Sequence, residues 1–590
     1  MTEAVSEIVV LILDYPPVIT GRLLTITSLQ SFSTNPGSIK MTGLHWLDWL
    51  VIGSYFSVLA LVVWWSSRKQ ETSTDYFLAG RNIGWFAIGA SLFASNIGSE
   101  HLVGLAGSGA KSGVAMAHYE LHAWCLLVLG WVLVPFYYRA GVYTMPEFLE
   151  RRYNATSRWI LTLVSLIVYV FTKVSVTVYA GGLVSQTLLP DLEFAGMNSF
   201  WLGAVTVVVL TGIYTSFGGL RAVVYTDAMQ TVVLILGSLC ITAIGLYHLG
   251  GWSELREISG SERFNLWRPA SDPDFPWPGM LFAAPIVGLW YWCTDQYIVQ
   301  RTLAARNLKI ARRGTLFGAY LKMTPVFLFI VPGMIAYALA QKNMLTLDNP
   351  DQAFPTLVRH ILPIGIRGLV VAGLLAALMS SLSSLFNSCS TLFTVDIYKK
   401  IAPNASERNM VTVGRLVTGA VVVLGLLWIP LMLYVADALY EYLQSVQAYL
   451  APPMTAVFFL GVFWKRVNGK GAVATLALGF ALGLTKMGCQ IYAKQMDPET
   501  LNAVQQIVCY YGNINFLRFC VYLFLFCCAT LILVSLFTAP PSAQQIENLT
   551  FATNTAKGRE EVRESWNKWD IIHTCVVLLI IVSVYLYFTG

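Results

Sequence analysis

Between Gly89 and Gly107 the chain reads GASLFASNIGSEHLVGLAG, and near its middle Ser95, Asn96, Gly98, Ser99, Glu100 and His101 stand almost side by side. Amide, carboxylate, imidazole and hydroxyl groups can together hold a polar ligand or a cation. Yet they interrupt an apolar segment long enough to cross a bilayer. In hydrocarbon an unpaired polar group is strongly disfavoured, so the cluster must face protein, water or a ligand. Gly98 also weakens the helix where its carbonyls could turn toward an ion. A packing seam of small residues is the plainer alternative. Such seams use Gly, Ala and Ser and seldom add Asn, Glu and His together. The stretch is read as a broken helix lining a binding site.

Further polar groups lie at membrane depth, where ionisable residues are by default functional hypotheses. Glu120 stands in HYELHAW, Asp227 in VVYTDAMQ, and Lys322 a short way into a later span. Trp290, Tyr291, Trp292, Thr294, Asp295 and Gln296 crowd one segment, and EYLQSVQAYLAPP opens another. Amides, carboxylates, an imidazole, an ammonium and aromatic faces suit a polyhydroxylated ligand, whose hydroxyls donate and accept and whose C–H faces stack. The tract AALMSSLSSLFNS points elsewhere. Ser380, Ser381, Ser383 and Ser384 offer hard oxygen ligands for a small cation such as Na⁺. Serine back-bonding or close helix packing is the alternative. His118 and His122 share a helix face, but no HExxH or Cys pair supports a metal, and interfacial histidines explain them better.

The elements that must position these groups are transmembrane helices. The 590 residues are 56% hydrophobic and only 12% charged, with mean hydropathy +0.62. That excludes a soluble globular chain. The net charge of +6 is spread over loops, with no basic block to suggest nucleic acid. The ten cysteines show no framework spacing and read as buried thiols. Periodicity predicts about fourteen spans, near 46–66, 82–110, 120–138, 158–187, 200–217, 222–247, 278–299, 315–340, 366–396, 412–434, 439–463, 470–492, 515–537 and 570–588.

Arg and Lys collect in alternate loops: Arg68, Arg139, Arg151, Arg152, Arg158, Arg221, Arg301, Arg306, Lys309, Arg312, Arg313, Lys399, Lys400, Lys465 and Arg466. The positive-inside rule makes these loops cytoplasmic and, with an even span count, puts both termini outside. Sequons at Asn154, Asn404 and Asn548 then fall on the cytoplasmic side, where glycosylation is not expected. Residues 1–40 lack the pattern of a signal peptide and form an extension of unreadable role. Loop 248–277 is a candidate outer lid, and 538–569 a polar inner loop, read as a solvated linker or a regulatory segment.

DYFLAGRNIGWFAIGASLFASNIG, TMPEFLERRY, FGGLRAVVYTD, PWPG, WYWCTDQYIVQR, LMSSLSSLFNS and FWKRVNGKGA form a long ordered series over about 46–470. It resembles the sodium/solute symporter family, in particular its sodium/glucose and sodium/myo-inositol cotransporter branch. The resemblance implies an all-α polytopic fold with two inverted five-helix repeats, whose first and sixth core helices, here 82–110 and 278–299, are discontinuous. The segment 41–75 precedes the core at 76–468, and 469–590 follows it. The resemblance also implies a sugar site of Asn96, His101, Glu120, Tyr291, Trp292, Lys322 and Gln444. It implies a first Na⁺ site from the carbonyls of Ala94, Ile97 and Ala377 with the hydroxyls of Ser380 and Ser381. A second Na⁺ site, found in only some members, would use Asp227, Ser383 and Ser384.

Three departures bear on the substrate. Glu100 stands where glucose carriers commonly have Gly, and Gly288 where they tend to have Thr; SNIGSEH looks more like the myo-inositol carriers. The outer loop 341–365 has no cysteine, which points to a shorter form than the animal members. The implied activity is Na⁺-driven symport of a hexose or cyclitol across the plasma membrane by alternating access, with Na⁺ as coupling ion. An intramembrane enzyme using Glu100, His101 and Glu120 lacks a metal or nucleophile motif. A sugar sensor would reuse the same site.

Overall fold

Asparagines set many of the helix starts. Asn154, Asn198, Asn307, Asn468, Asn515 and Asn567 each accept backbone N–H groups in the first turn of the helix that follows. The computed structural model describes residues 44–590, apart from 69–71, 99, 190–192, 195, 436–438, 497–500 and the side chains of 431–442. The expected extension 1–40 lies outside the described residues.

The chain is helical throughout, and the only β pairing among the described residues is in isolated bridges. Helix α1 is Trp46–Ser66, and α2 is Trp85–Asn96. After a break the path continues through Glu100–Ala140, which contains α3, Ala106–Ser112. Next come α4, Ala155–Leu188, α5, Ser199–Leu249, and α6, Trp252–Arg263. Two half-helices follow, α7, Trp277–Thr294, and α8, Gln296–Leu303. The remainder are α9, Leu308–Lys322, α10, Val331–Gln341, α11, Ile366–Thr391, and α12, Glu407–Val435. Then come α13, Leu439–Phe463, α14, Gly469–Lys494, α15, Phe516–Leu536, and α16, Lys568–Tyr587.

Eleven stretches among the described residues are long and apolar enough to cross a membrane, so length and composition do not reproduce the expected fourteen. Breaks and mergers account for the difference. The spans expected at 200–217 and 222–247 run together as α5, bent at Gly219 with φ 51°. The spans at 82–110 and 120–138 fall partly in one helical stretch, and 278–299 divides into half-helices of 18 and 8 residues, neither of them both long and apolar enough to qualify. The expected breaks in the first and sixth core helices are both present. Helix α2 stops because Ile97 turns to ψ 98°, and α7 stops because Asp295 turns to ψ 129°.

Helix α11 is the axle of the bundle, 89% buried over its apolar window, and packs against α5, α2 and α1. Its N-terminus is fixed by Asp48 of α1. That carboxylate takes N–H bonds from Gly365 at 2.7 Å and Gly368 at 2.9 Å and pairs with Arg367 at 2.9 Å. An acid at a helix start also meets the positive end of the dipole.

Several arginines read from the sequence as loop charges are buried. Arg152, Arg301 and Arg312 are fully enclosed, and Arg158 pairs with buried Asp396. Arg152 caps carbonyls of Gly461, Trp464 and Val467, so it braces helix ends rather than meeting solvent. Segment 538–569 is not a solvated linker either. Gln545 bonds Tyr153 O, Asn554 meets Arg139, and Ser565 accepts from Arg312 at 2.5 Å. Loop 248–277 forms α6 and a pinned cap, held by Leu266 N–H to Phe588 O and by Arg268 to Ser112 O.

Candidate solute and cation site

Lys322, the last residue of α9, stands at the centre of the polar interior. Its Nζ donates to Glu120 Oε2 at 2.6 Å and to Asn96 Oδ1 at 2.9 Å, and lies 5.4 Å over the Trp292 ring. Lys322 and Glu120 are both buried, and a charge pair survives there only with close geometry and further bonds. His101 Nε2 also approaches the pair, 3.5 Å from Glu120 Oε1. Asn96 ends α2, and its amide nitrogen donates to the Tyr291 hydroxyl at 3.0 Å. Tyr297 donates to the same hydroxyl.

The break before α8 is braced from α4, where Lys173 Nζ meets Asp295 Oδ2 at 2.7 Å and Tyr169 donates to Oδ1. Both discontinuous helices therefore end at side chains that the sequence marked. Asn96, His101, Glu120, Tyr291, Trp292, Lys322 and Gln444 all line one cavity. The cavity is tight: about 30 Å³ of it admits the centre of a water-sized sphere, room for roughly two waters. Gln444 Oε1 and Glu100 Oε2 are buried on its walls without hydrogen-bond partners among the described residues. They are spare acceptors for ligand hydroxyls.

Other wall residues were not singled out for this role from the sequence: Tyr119, His122 and Gln447. Gln447 was findable, since it lies three residues from Gln444 and so near the same helix face. His118 and His122 are both buried. His118 bonds Leu266 O at 2.9 Å and the Tyr585 hydroxyl at 3.2 Å. His122 fills the space that Gly288 leaves: a Cβ at Gly288 would come 2.6 Å from its Nδ1. An imidazole from the facing element thus stands where a side chain at position 288 would reach.

On the far side of Tyr291 lies a second small cavity, bounded by Ser95, Glu100, Lys173, Tyr297, Ser381 and Gln447 among others. Here α2 meets the serine tract of α11. Ala94, Ile97, Ala377, Ser380 and Ser381 are all buried in this region. Ser381 Oγ has no hydrogen-bond partner among the described residues. Ser380 Oγ instead donates to Asp227 Oδ1 at 2.6 Å.

Asp227 is ringed by hydroxyls. Ser91 donates to it at 2.5 Å and Ser95 at 3.3 Å, and Ser95 meets Ser384 at 2.8 Å. Ser383 does not join this ring, because its Oγ back-bonds to Ser380 O at 2.9 Å. The arginine beside Asp227 is buried Arg301, at 4.0 Å. Arg301 was misread as a loop charge because α8 re-enters the bundle after the Asp295 turn.

Residues 76–479 match the family model of the sodium:solute symporter family, a range that holds both helix breaks, the cavity and the serine tract. The chain belongs to the sodium:solute symporter family. As a family member it is a transporter and not an enzyme, and it couples solute movement to Na⁺. It is 39% identical to the mouse sodium/myo-inositol cotransporter 2, over 89% of this chain and 81% of that one. It is 38% identical to the rabbit sodium/glucose cotransporter 1, over 88% and 84% respectively. The solved outward-open, substrate-bound structure of a Na⁺-coupled sialic acid symporter aligns with TM-score 0.70 at 23% identity. That alignment covers 84% of this chain and 99% of the other, and it carries the symporter fold.

Proposed function

We propose that this symporter moves a hexose, glucose or galactose, across the plasma membrane with Na⁺ by alternating access. The observation that carries the reading is the convergence of Asn96, His101, Glu120, Tyr291, Trp292, Lys322 and Gln444 on one buried cavity. Carboxylate, ammonium and amides meet hydroxyls there, while Trp292 and Tyr291 offer faces to C–H surface. Tyr291 lies between the two cavities and serves as the inner gate. The tight cavity suits a contracted stage of the cycle, from which the walls part to admit a ring.

Na⁺ would lie where α2 breaks against α11, held by the carbonyls of Ala94, Ile97 and Ala377 with Ser381 and Ser380. A second Na⁺ would use Asp227 with Ser384, and with Ser95 and Ser380 in preference to Ser383. Removing Na⁺ would loosen α2 from α11 and release the solute inward. Both termini would face outside, following the loop charges. Labelled-glucose counterflow in proteoliposomes tests the reading: exchange without consumption supports a carrier, and binding without exchange would make the chain a sensor.

A second reading, myo-inositol as solute, is favoured by two wall features. Glu100 adds a carboxylate to the cavity, and His122 sets an imidazole where a side chain at position 288 would reach. Excess myo-inositol is expected to inhibit labelled-glucose uptake. Absence of inhibition at tens of millimolar, well above the roughly 1 mM upper end of usual KM values, would leave hexose alone.

A further inference from the structure

Two buried oxygens near the α2 break have no hydrogen-bond partner among the described residues: Glu100 Oε2 and Ser381 Oγ, on different elements. They face the same point. A Cβ added to Gly98 would lie under 3.0 Å from both, so the two oxygens close over the bare glycine from different elements. Both residues also line the small cavity behind Tyr291, about 20 Å³ by the space open to a water-sized sphere. By that measure it takes one small guest.

The charges around this cavity are otherwise matched. Lys173, on the same wall, is held by Asp295 at 2.7 Å, and Lys322 by Glu120 at 2.6 Å. For Glu100 the one ion-pair partner among the described residues is His101, at 3.9 Å from Oε1. A buried carboxylate oxygen left bare is strongly disfavoured and calls for a proton donor or a cation. A carboxylate with a hydroxyl makes a hard oxygen pair suited to a monovalent hard cation.

We infer that Glu100 is a direct ligand of the coupling Na⁺, binding it jointly with Ser381 across Gly98. This rests on the Na⁺-coupled reading and goes beyond it, since it gives that ion a carboxylate from the wall of the solute cavity. Glu100 borders both cavities. One side chain would therefore report ion occupancy to the solute, through its second oxygen and the adjoining His101.

The test is equilibrium binding of radioactive Na⁺ to the purified full chain in nanodiscs with no sugar present. Glu100→Gln is expected to weaken Na⁺ binding about tenfold or more, the scale of one lost charge-assisted bond. Ser381→Ala should weaken it too, and the double variant should lose little more than the worse single one, because both remove ligands of one ion. Glu100→Asp should restore part of the affinity. Melting curves identify any variant that has simply misfolded, and Glu100→Asp then carries the test. Wild-type Na⁺ affinity in folded Glu100→Gln would overturn the inference and leave a water in the cavity. If the wild-type chain carried no glucose while Glu100→Gln still lost Na⁺ affinity, the hexose reading would fall and this one would stand.

Discussion

Gln444 Oε1 sits buried on the cavity wall with no hydrogen-bond partner among the described residues, while Lys322 already bonds Asn96 and Glu120. A free acceptor of this kind is where a ligand hydroxyl gains most. Gln444→Ala is expected to raise the apparent sugar KM about tenfold, or about 1.4 kcal/mol, with Na⁺ binding in the absence of sugar little changed. Unchanged sugar affinity would remove Gln444 from the site. Lys322 should behave differently. Lys322→Met strands Glu120 in the interior, a loss of about 3–5 kcal/mol, visible as a lower melting temperature in detergent. Adding Glu120→Gln should recover much of that stability but not transport. If transport returned as well, the pair would be only structural. Such residues were legible because carboxylates, amides and lysines are conspicuous in apolar sequence. Arg301 and His122 were not, since a charge beside a span looks like a loop charge until the chain is seen to turn back.

At the scale of elements, the two helix breaks were readable, one from Gly98 among polar residues and the other by resemblance. Their causes were not. Asp295 holds its turn through Lys173 and Tyr169, which lie more than a hundred residues earlier and have no local signature. The seam between α3 and α10 was equally hidden. A Cβ on Gly333 would strike Ala106 O and lie 3.0 Å from Ala110 N, and one on Gly109 would lie 3.1 Å from Ile330 Cα. Gly333→Ala should destabilise the chain by about 1–3 kcal/mol through overpacking, read as a fall in melting temperature without loss of Na⁺ selectivity. An unchanged melting temperature would show that α10 slides freely on α3. Counting helices by length and composition gives fewer stretches than the fourteen expected where glycine bends a continuous helix, because Gly219 changes direction without ending the 51-residue α5.

At the scale of the whole molecule, symport links the Na⁺ gradient to the solute gradient. One Na⁺ entering at −100 mV gains about 2.3 kcal/mol, and a tenfold Na⁺ gradient adds about 1.4 kcal/mol. The hydroxyl ring at Asp227 favours two ions per solute, and Ser384→Ala should lower the coupling toward one in reversal-potential measurements. A native ratio of one, or unaltered coupling in Asp227→Asn, would assign Asp227 to bracing Arg301 alone. The most direct measurement of the central claim is labelled-glucose uptake by proteoliposomes holding the purified chain, with an inward Na⁺ gradient on one arm and K⁺ replacing Na⁺ on the other. The expected result is glucose accumulated above the outside concentration with Na⁺ and no accumulation with K⁺. Equal uptake in both arms, levelling at the outside concentration, would contradict Na⁺-driven hexose symport.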